Sequence, residues 1–191
     1  MKMKRFFSTT LVFLLTVLMF QQLEAQSFGA PEIMKGKVVF GGNADLGFAR
    51  NCFYVGVAPQ AGYRLTRNLE VGLRLGYDMD YYYGNYYYGN YFAHYFSGAV
   101  YANYEIFSGI YAHVEDEEMC RLVSGHAIET SRLNWYNSVF VGGGYRQYFN
   151  ETSYTFYSVL YNLSYGVGLN GSYDSPYANP FIIRVGYCKG F

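Results

Sequence analysis

Charge is the first thing this 191-residue chain is short of: charged residues make up 15% of it, 14 basic against 14 acidic. With no basic surplus to neutralise phosphates, nucleic acid is not an expected partner. Cysteine is scarce as well. Cys52, Cys120 and Cys188 form no C-x-x-C pair, and one thiol is left over however they combine. That argues against a disulfide scaffold and against a structural zinc site, and no cofactor is expected. Beyond Ala25 no apolar run is long enough to cross a bilayer as a helix, although 51% of the residues are hydrophobic. Tyrosine (24 residues) and glycine (22 residues) are abundant instead. That combination points away from helical spans and towards strands.

The first twenty-five residues read as a secretory signal peptide. Lys2, Lys4 and Arg5 precede an apolar run from Leu11 to Phe20, and a polar stretch closes on the small residue Ala25. The residue directly after Ala25 is Gln26 and not cysteine, so no lipoprotein anchor is expected. Losing Lys2, Lys4, Arg5 and Glu24 leaves eleven basic residues against thirteen acidic ones. The expected organisation is a signal peptide at 1–25, a short periplasmic segment at 26–37 and one domain at 38–191.

Periodicity assigns that domain. In "LEVGLRLGYDM", residues 69–79, the odd positions are Leu, Val, Leu, Leu, Tyr and Met, and the even ones are Glu, Gly, Arg, Gly and Asp. Two-residue alternation over eleven positions is a strand, long enough to cross a bilayer when tilted. The pattern recurs at 53–63, 133–145 and 181–191, and more weakly at 38–48, 91–104, 109–118 and 154–165. The connections at 64–68, 105–109 and 147–153 are short, whereas most of those at 49–52, 80–90, 119–131 and 166–179 are long. Eight strands with short turns on one side and long loops on the other predict an all-β fold, an eight-stranded antiparallel up-and-down transmembrane β-barrel. A soluble barrel or sandwich carries the same alternation with its faces exchanged. Two features favour the membrane assignment. The expected inner face is rich in Gly, Ser and Asn, and tyrosines (among them Tyr54, Tyr63, Tyr77, Tyr91, Tyr104, Tyr145 and Tyr187) gather at strand ends, where aromatic girdles belong.

The stretches "LEVGLRLGY" (69–77), "VGGGYRQ" (141–147) and "SPYANPFIIRVGY" (175–187) resemble the small outer-membrane β-barrel domain proteins of Bacteroidota-type Gram-negative bacteria. In architecture these are similar to the OmpA- and OmpX-like barrels. The resemblance implies a closed monomer in the outer membrane, surrounded by lipid and lipopolysaccharide and inserted by the barrel assembly machinery. It also implies that Ile183, Val185, Tyr187 and Phe191 form the assembly signal of the last strand. Lys189 departs from that pattern, and a lysine at the membrane edge snorkels. No single activity follows from the resemblance.

Three groups of residues carry candidate chemistry. By parity, Asp45, Glu70, Arg74, Asp78, His113, Glu115, Arg146 and Arg184 face the lumen, together with Glu117. An interior that side chains fill requires them to pair, with Arg74, Arg146 and Arg184 set against Glu70, Asp78 and Glu115. His113 is the candidate for a proton or ion path. The acidic run at 113–121 offers oxygen ligands for a divalent ion, but alternation sends Glu115 and Glu117 one way and Asp116 and Glu118 the other. Tyr81, Tyr82, Tyr83, Tyr86, Tyr87 and Tyr88 form an extracellular aromatic loop, expected to meet a surface ligand or protein partner through stacking. "GVGLNG" at 166–171 matches a dinucleotide fingerprint, but no helix follows it. A rim active site would draw on Ser124, His126, Glu129 and Ser131. The leading expectation is a non-enzymatic outer-membrane protein with a structural or surface-interaction role. A narrow channel is the second reading and an outer-membrane enzyme the third.

Overall fold

The computed structural model describes residues 36–49, 52–85, 89–125, 133–166, 176–177 and 179–191. Eight strands account for almost all of them. They are β1 (Val38–Ala49), β2 (Cys52–Arg64), β3 (Leu69–Asn85), β4 (Gly89–Phe107), β5 (Ile110–Gly125), β6 (Leu133–Tyr148), β7 (Ser153–Asn162) and β8 (Phe181–Gly190). Each pairs antiparallel with its neighbours in sequence, and β1 closes on β8. The protein is an all-β, closed, eight-stranded up-and-down barrel. The expected signal peptide lies outside the described residues.

Register sets the tilt. From Val39 the paired residues run through Gly62, Gly72, Tyr101, Glu115, Phe140 and Asn162 to Pro180. Pro180 lies ten residues before Gly190, which is Val39's own partner on β8. A stagger of that kind requires strands inclined by about 35–45° to the barrel axis.

The three short turns lie at the same end as Val38 and Phe191, and each is built from local chemistry. Ser108 (φ 44°) and Gly109 (φ 84°) both adopt positive φ, the signature of a two-residue I′ hairpin. A Cβ on Gly109 would sit 2.3 Å from the Arg146 carbonyl oxygen, so glycine is required there on two counts. In the β2–β3 turn Thr66 Oγ1 accepts from the Leu69 amide (2.9 Å), and in the β6–β7 turn Asn150 Oδ1 accepts from the Ser153 amide (2.8 Å).

The opposite end is cut obliquely. β7 and β8 have 10 residues each, whereas β3 has 17 and β4 has 19. At about 3.3 Å per residue, the β3–β4 side of the wall continues for roughly 20 Å after β7 has ended. This corrects two expected loops. Of the stretch 80–90, residues 80–85 and 89–90 are strand, with pairing out to Asn85 and from Gly89, and the expected loop at 119–131 is β5 as far as Gly125. Alternation breaks in the tyrosine run because the register shifts between Tyr82 and Asn85, an irregularity that the strand absorbs without ending. Tyrosine favours a pleated surface on either face.

Candidate functional site

The barrel's two faces are opposite in character. Outward positions are mostly apolar, with Asp116 and Glu118 on β5 as exceptions: Leu75 is 65% exposed, Val100 55%, Val159 55% and Ile183 72%. Aromatic rings flank these aliphatic positions towards both ends, with Tyr63, Tyr104 and Tyr145 on the turn side and Tyr77, Phe96 and Phe181 on the other. Inward positions carry the charge. Arg64, Glu70, Glu105, Glu115, Glu117 and Arg146 are all at most 2% exposed. Charges so deeply buried are tolerable only if paired and hydrogen-bonded. They are paired in two clusters, with several arginine nitrogens left to ion-pair and ring contacts.

The cluster at the turn end holds two arginines and two glutamates. Arg146 Nη2 lies 3.1 Å from Glu70 Oε2 and its Nη1 3.5 Å from Glu105 Oε2. Arg64 Nε lies 3.3 Å from Glu70 Oε2 and its Nη1 3.6 Å from Glu105 Oε2. Both cations thus serve both anions, and the formal charges cancel. Phenols complete the shell. Tyr148 donates to Glu105 (2.8 Å), while Tyr101 and Tyr154 donate to Glu70 (3.2 Å each). Arg146 lies 4.7 and 4.9 Å from the Tyr111 and Tyr154 ring centroids, a doubly stacked guanidinium. Glu105 also accepts the Gly109 amide (3.0 Å), which ties this cluster to the I′ turn. Glycine makes room for the shell. A Cβ on Gly72 would lie 2.6 Å from the Tyr101 ring, so only a bare backbone lets that ring lie across the wall.

The second cluster lies further along the lumen. Arg74 Nη2 contacts Glu115 Oε1 at 2.5 Å and Glu117 Oε2 at 2.6 Å, and Arg184 Nη1 contacts Glu115 Oε2 at 2.8 Å. His113 Nε2 is 3.3 Å from the same Glu115 oxygen, and its Nδ1 is 2.6 Å from Asn103 Oδ1. The hydroxyl of Tyr177, from the segment preceding β8, donates to Glu117, and its ring meets Phe140 edge-on at 5.4 Å. Between the clusters remains a cavity of about 20 Å³ bordered by Gln60, Tyr101, Asn103, His113 and Ser158. That is room for about one water.

The structure brings together six of the eight anticipated lumen charges, less evenly than expected. Glu70 pairs with Arg146, while Arg74 and Arg184 share Glu115 beside His113. Asp45 accepts from Asn43 Nδ2 (2.8 Å), and Asp78 makes no ion pair among the described residues. Arg64 and Glu105 are two deeply buried charges that the sequence reading assigned to turns. Continuing the alternation of β2 and β4 by a residue or two would have found them, because Arg64 shares the parity of Gly62 and Glu105 that of Asn103.

The acidic run splits across the wall. Glu115 and Glu117 face in, while Asp116 and Glu118 face out, where Asn137 Nδ2 donates to both (2.9 Å each). Four carboxylates so divided converge on no single ion. Cys52 and Cys120 lie on β2 and β5 rather than in loops. Three strand spacings of about 4.8 Å separate them, far beyond disulfide reach, and both are free thiols. Of the rim set only Ser124 is described, and His126, Glu129 and Ser131 lie outside the described residues.

Tyr81, Tyr82 and Tyr83 belong to β3, and Tyr86, Tyr87 and Tyr88 lie outside the described residues. The hairpin is zipped by rings: Tyr82 stacks on Tyr91 (4.7 Å, 15°) and Tyr81 packs on Phe92 (4.7 Å). Tyr54 and Tyr91 share the inward register of Asp80 and Tyr82, so they do not belong to the outer girdle. On β8, Ile183, Val185, Tyr187 and Phe191 all face outward. Phe191 packs edge-on against Phe40 (6.1 Å), and Lys189 Nζ sits 5.3 Å from its ring.

No family model and no curated protein matches the chain. Among solved structures it is similar to the N-terminal β-barrel domain of Pseudomonas aeruginosa OprF, at 13% identity and a TM-score of 0.45, covering 82% of this chain and 98% of that one. The fold assignment rests on the sheet itself: eight antiparallel strands in sequence order, closed by the pairing of β1 with β8.

Proposed function

We propose that this chain is an integral outer-membrane β-barrel whose lumen is sealed by paired charges, and that its role is structural or surface-interactive rather than catalytic. The observation that carries the reading is the inverted sidedness: a wall of exposed Leu, Val and Ile outside, and two arginine–glutamate clusters within. Water favours the opposite arrangement, and a bilayer favours this one. The leader expected at 1–25 is in keeping with this reading, because an outer-membrane protein must first be exported. The turn end and both termini then face the periplasm, and the tall β3–β4 side faces outward. Phe191 and the apolar positions behind it serve as the signal for the assembly machinery. The barrel is a monomer in contact with lipid and lipopolysaccharide.

A narrow channel is the competing role, and the filled lumen opposes it. Both clusters bridge opposite walls, since Arg74 on β3 and Arg184 on β8 meet on Glu115 of β5. Purified protein refolded into planar bilayers is expected to show no sustained unitary conductance in molar potassium chloride. Discrete, reproducible conductance steps would assign the channel role instead.

A further inference from the structure

The tall side of the wall has an inner face that the barrel does not use. Where β3 to β6 run on beyond the ends of β7 and β8, their inward side chains line, among the described residues, a trough instead of a closed lumen. Asp80, Tyr82, Tyr95, Arg121 and Tyr136 gather on it from four adjacent strands. Its base is solid, with Ala93, Tyr95 and Met119 buried beneath Tyr82, Val123, Tyr136 and Tyr177.

Arg121 stands out from the other inward arginines. Arg64, Arg74, Arg146 and Arg184 each hold at least one glutamate. Arg121 makes no ion pair among the described residues. Its guanidinium lies 5.7 Å from the Tyr95 ring centroid, beside the Tyr136 hydroxyl, and its Nε, like those of Arg64, Arg74 and Arg146, is buried without a hydrogen-bond partner among the described residues. Its electrostatic counterpart is Asp80, two strands away across Tyr95, whose carboxylate accepts, among the described residues, from phenols such as Tyr82 (3.2 Å). A guanidinium and a carboxylate held apart over a tyrosine floor present donors at one edge and acceptors at the other. A ligand that fits has hydroxyls able both to accept and to donate, and a flat C–H face to lie on an aromatic ring. A pyranose has both.

We propose that this trough is a saccharide-binding site, with Arg121 and Asp80 hydrogen-bonding adjacent sugar hydroxyls and the half-buried Tyr82 and Tyr136 supplying the ring contacts over the buried Tyr95. The inference rests on the outer-membrane reading only for which side the trough faces; the site is built from the barrel's own inner wall. Sugar hydroxyls exchange water for charged partners at both ends, so each partner contributes strongly to affinity.

The test uses the whole mature protein refolded in a zwitterionic detergent free of sugar headgroups. Isothermal titration is run with three probes: a glucose hexamer, an N-acetylglucosamine tetramer and a galacturonate tetramer. Binding of at least one probe is expected, weakened at least about tenfold by Arg121→Ala and by Tyr82→Ala. An outward Glu118→Gln variant is expected to bind like the parent. Preference for galacturonate would identify an acidic sugar, and preference for either other probe a neutral one. Absence of binding by all three, or affinity that survives Arg121→Ala, overturns the proposal. Each variant is first checked for the heat-dependent gel mobility of the parent. Folded barrels that bind no saccharide defeat the site alone, whereas a parent lacking that mobility defeats the membrane reading beneath it.

Discussion

Arg146→Ala is expected to destabilise the barrel by about 3–5 kcal/mol, the cost of breaking a buried charge pair from one side. Glu70 and Glu105 are fully buried, and each counts Arg146 among its two cations. Removing it leaves two carboxylates facing Arg64 alone and empties the space between the Tyr111 and Tyr154 rings. Arg146→Lys is expected to recover only part of the loss, because a single ammonium cannot span two carboxylates or stack between two rings as a planar fork does. Urea unfolding in lipid vesicles measures both, with Trp135, the one tryptophan in the chain, as reporter on the outer wall. If the pair is removed as a unit, in Glu70→Gln/Arg146→Met, the summed single-variant losses are expected to exceed the double-variant loss. Equal, additive losses would mean that the cluster is not coupled.

The second large effect comes from the opposite face. Leu75→Arg is expected to cost about 2–4 kcal/mol in a bilayer, because residue 75 is 65% exposed on the apolar wall, within the aliphatic zone between the aromatic ends. In a water-soluble barrel the same exposed substitution would change stability by about 0.5 kcal/mol or less. The two variants therefore probe the sidedness from both directions: an arginine is indispensable inside and intolerable outside.

The pattern of residues 69–79 was enough to read the architecture, because a strand with one apolar and one polar face writes its period directly into the sequence. The same alternation put Glu70, Arg74, Glu115 and Arg184 on one face without any structure. It failed where the period itself was disturbed. Arg64 and Glu105 were hidden because turn-like residues follow them, Leu-Thr-Arg-Asn after one and Ser-Gly after the other, so the strands were ended early. The tyrosine run reads as a loop in sequence because both of its faces are aromatic and a register shift interrupts it. Partnership was less legible still. Period two places Asp78 and Glu115 alike, yet only the strand stagger decides that Arg74 and Arg184 both reach Glu115 while Asp78 is left without a cation. Stagger is a property of the closed barrel and of no single segment.

The central claim is that an apolar exterior and a salt-bridged interior make this chain a membrane barrel. Electrophoresis of the membrane-extracted protein, with and without boiling in dodecyl sulfate, tests it most directly. A hydrogen-bonded closed barrel resists the detergent cold, so the unheated sample is expected to run as a band distinct from the boiled one. A single mobility under both conditions, with the protein recovered in the soluble periplasmic fraction, would contradict the account.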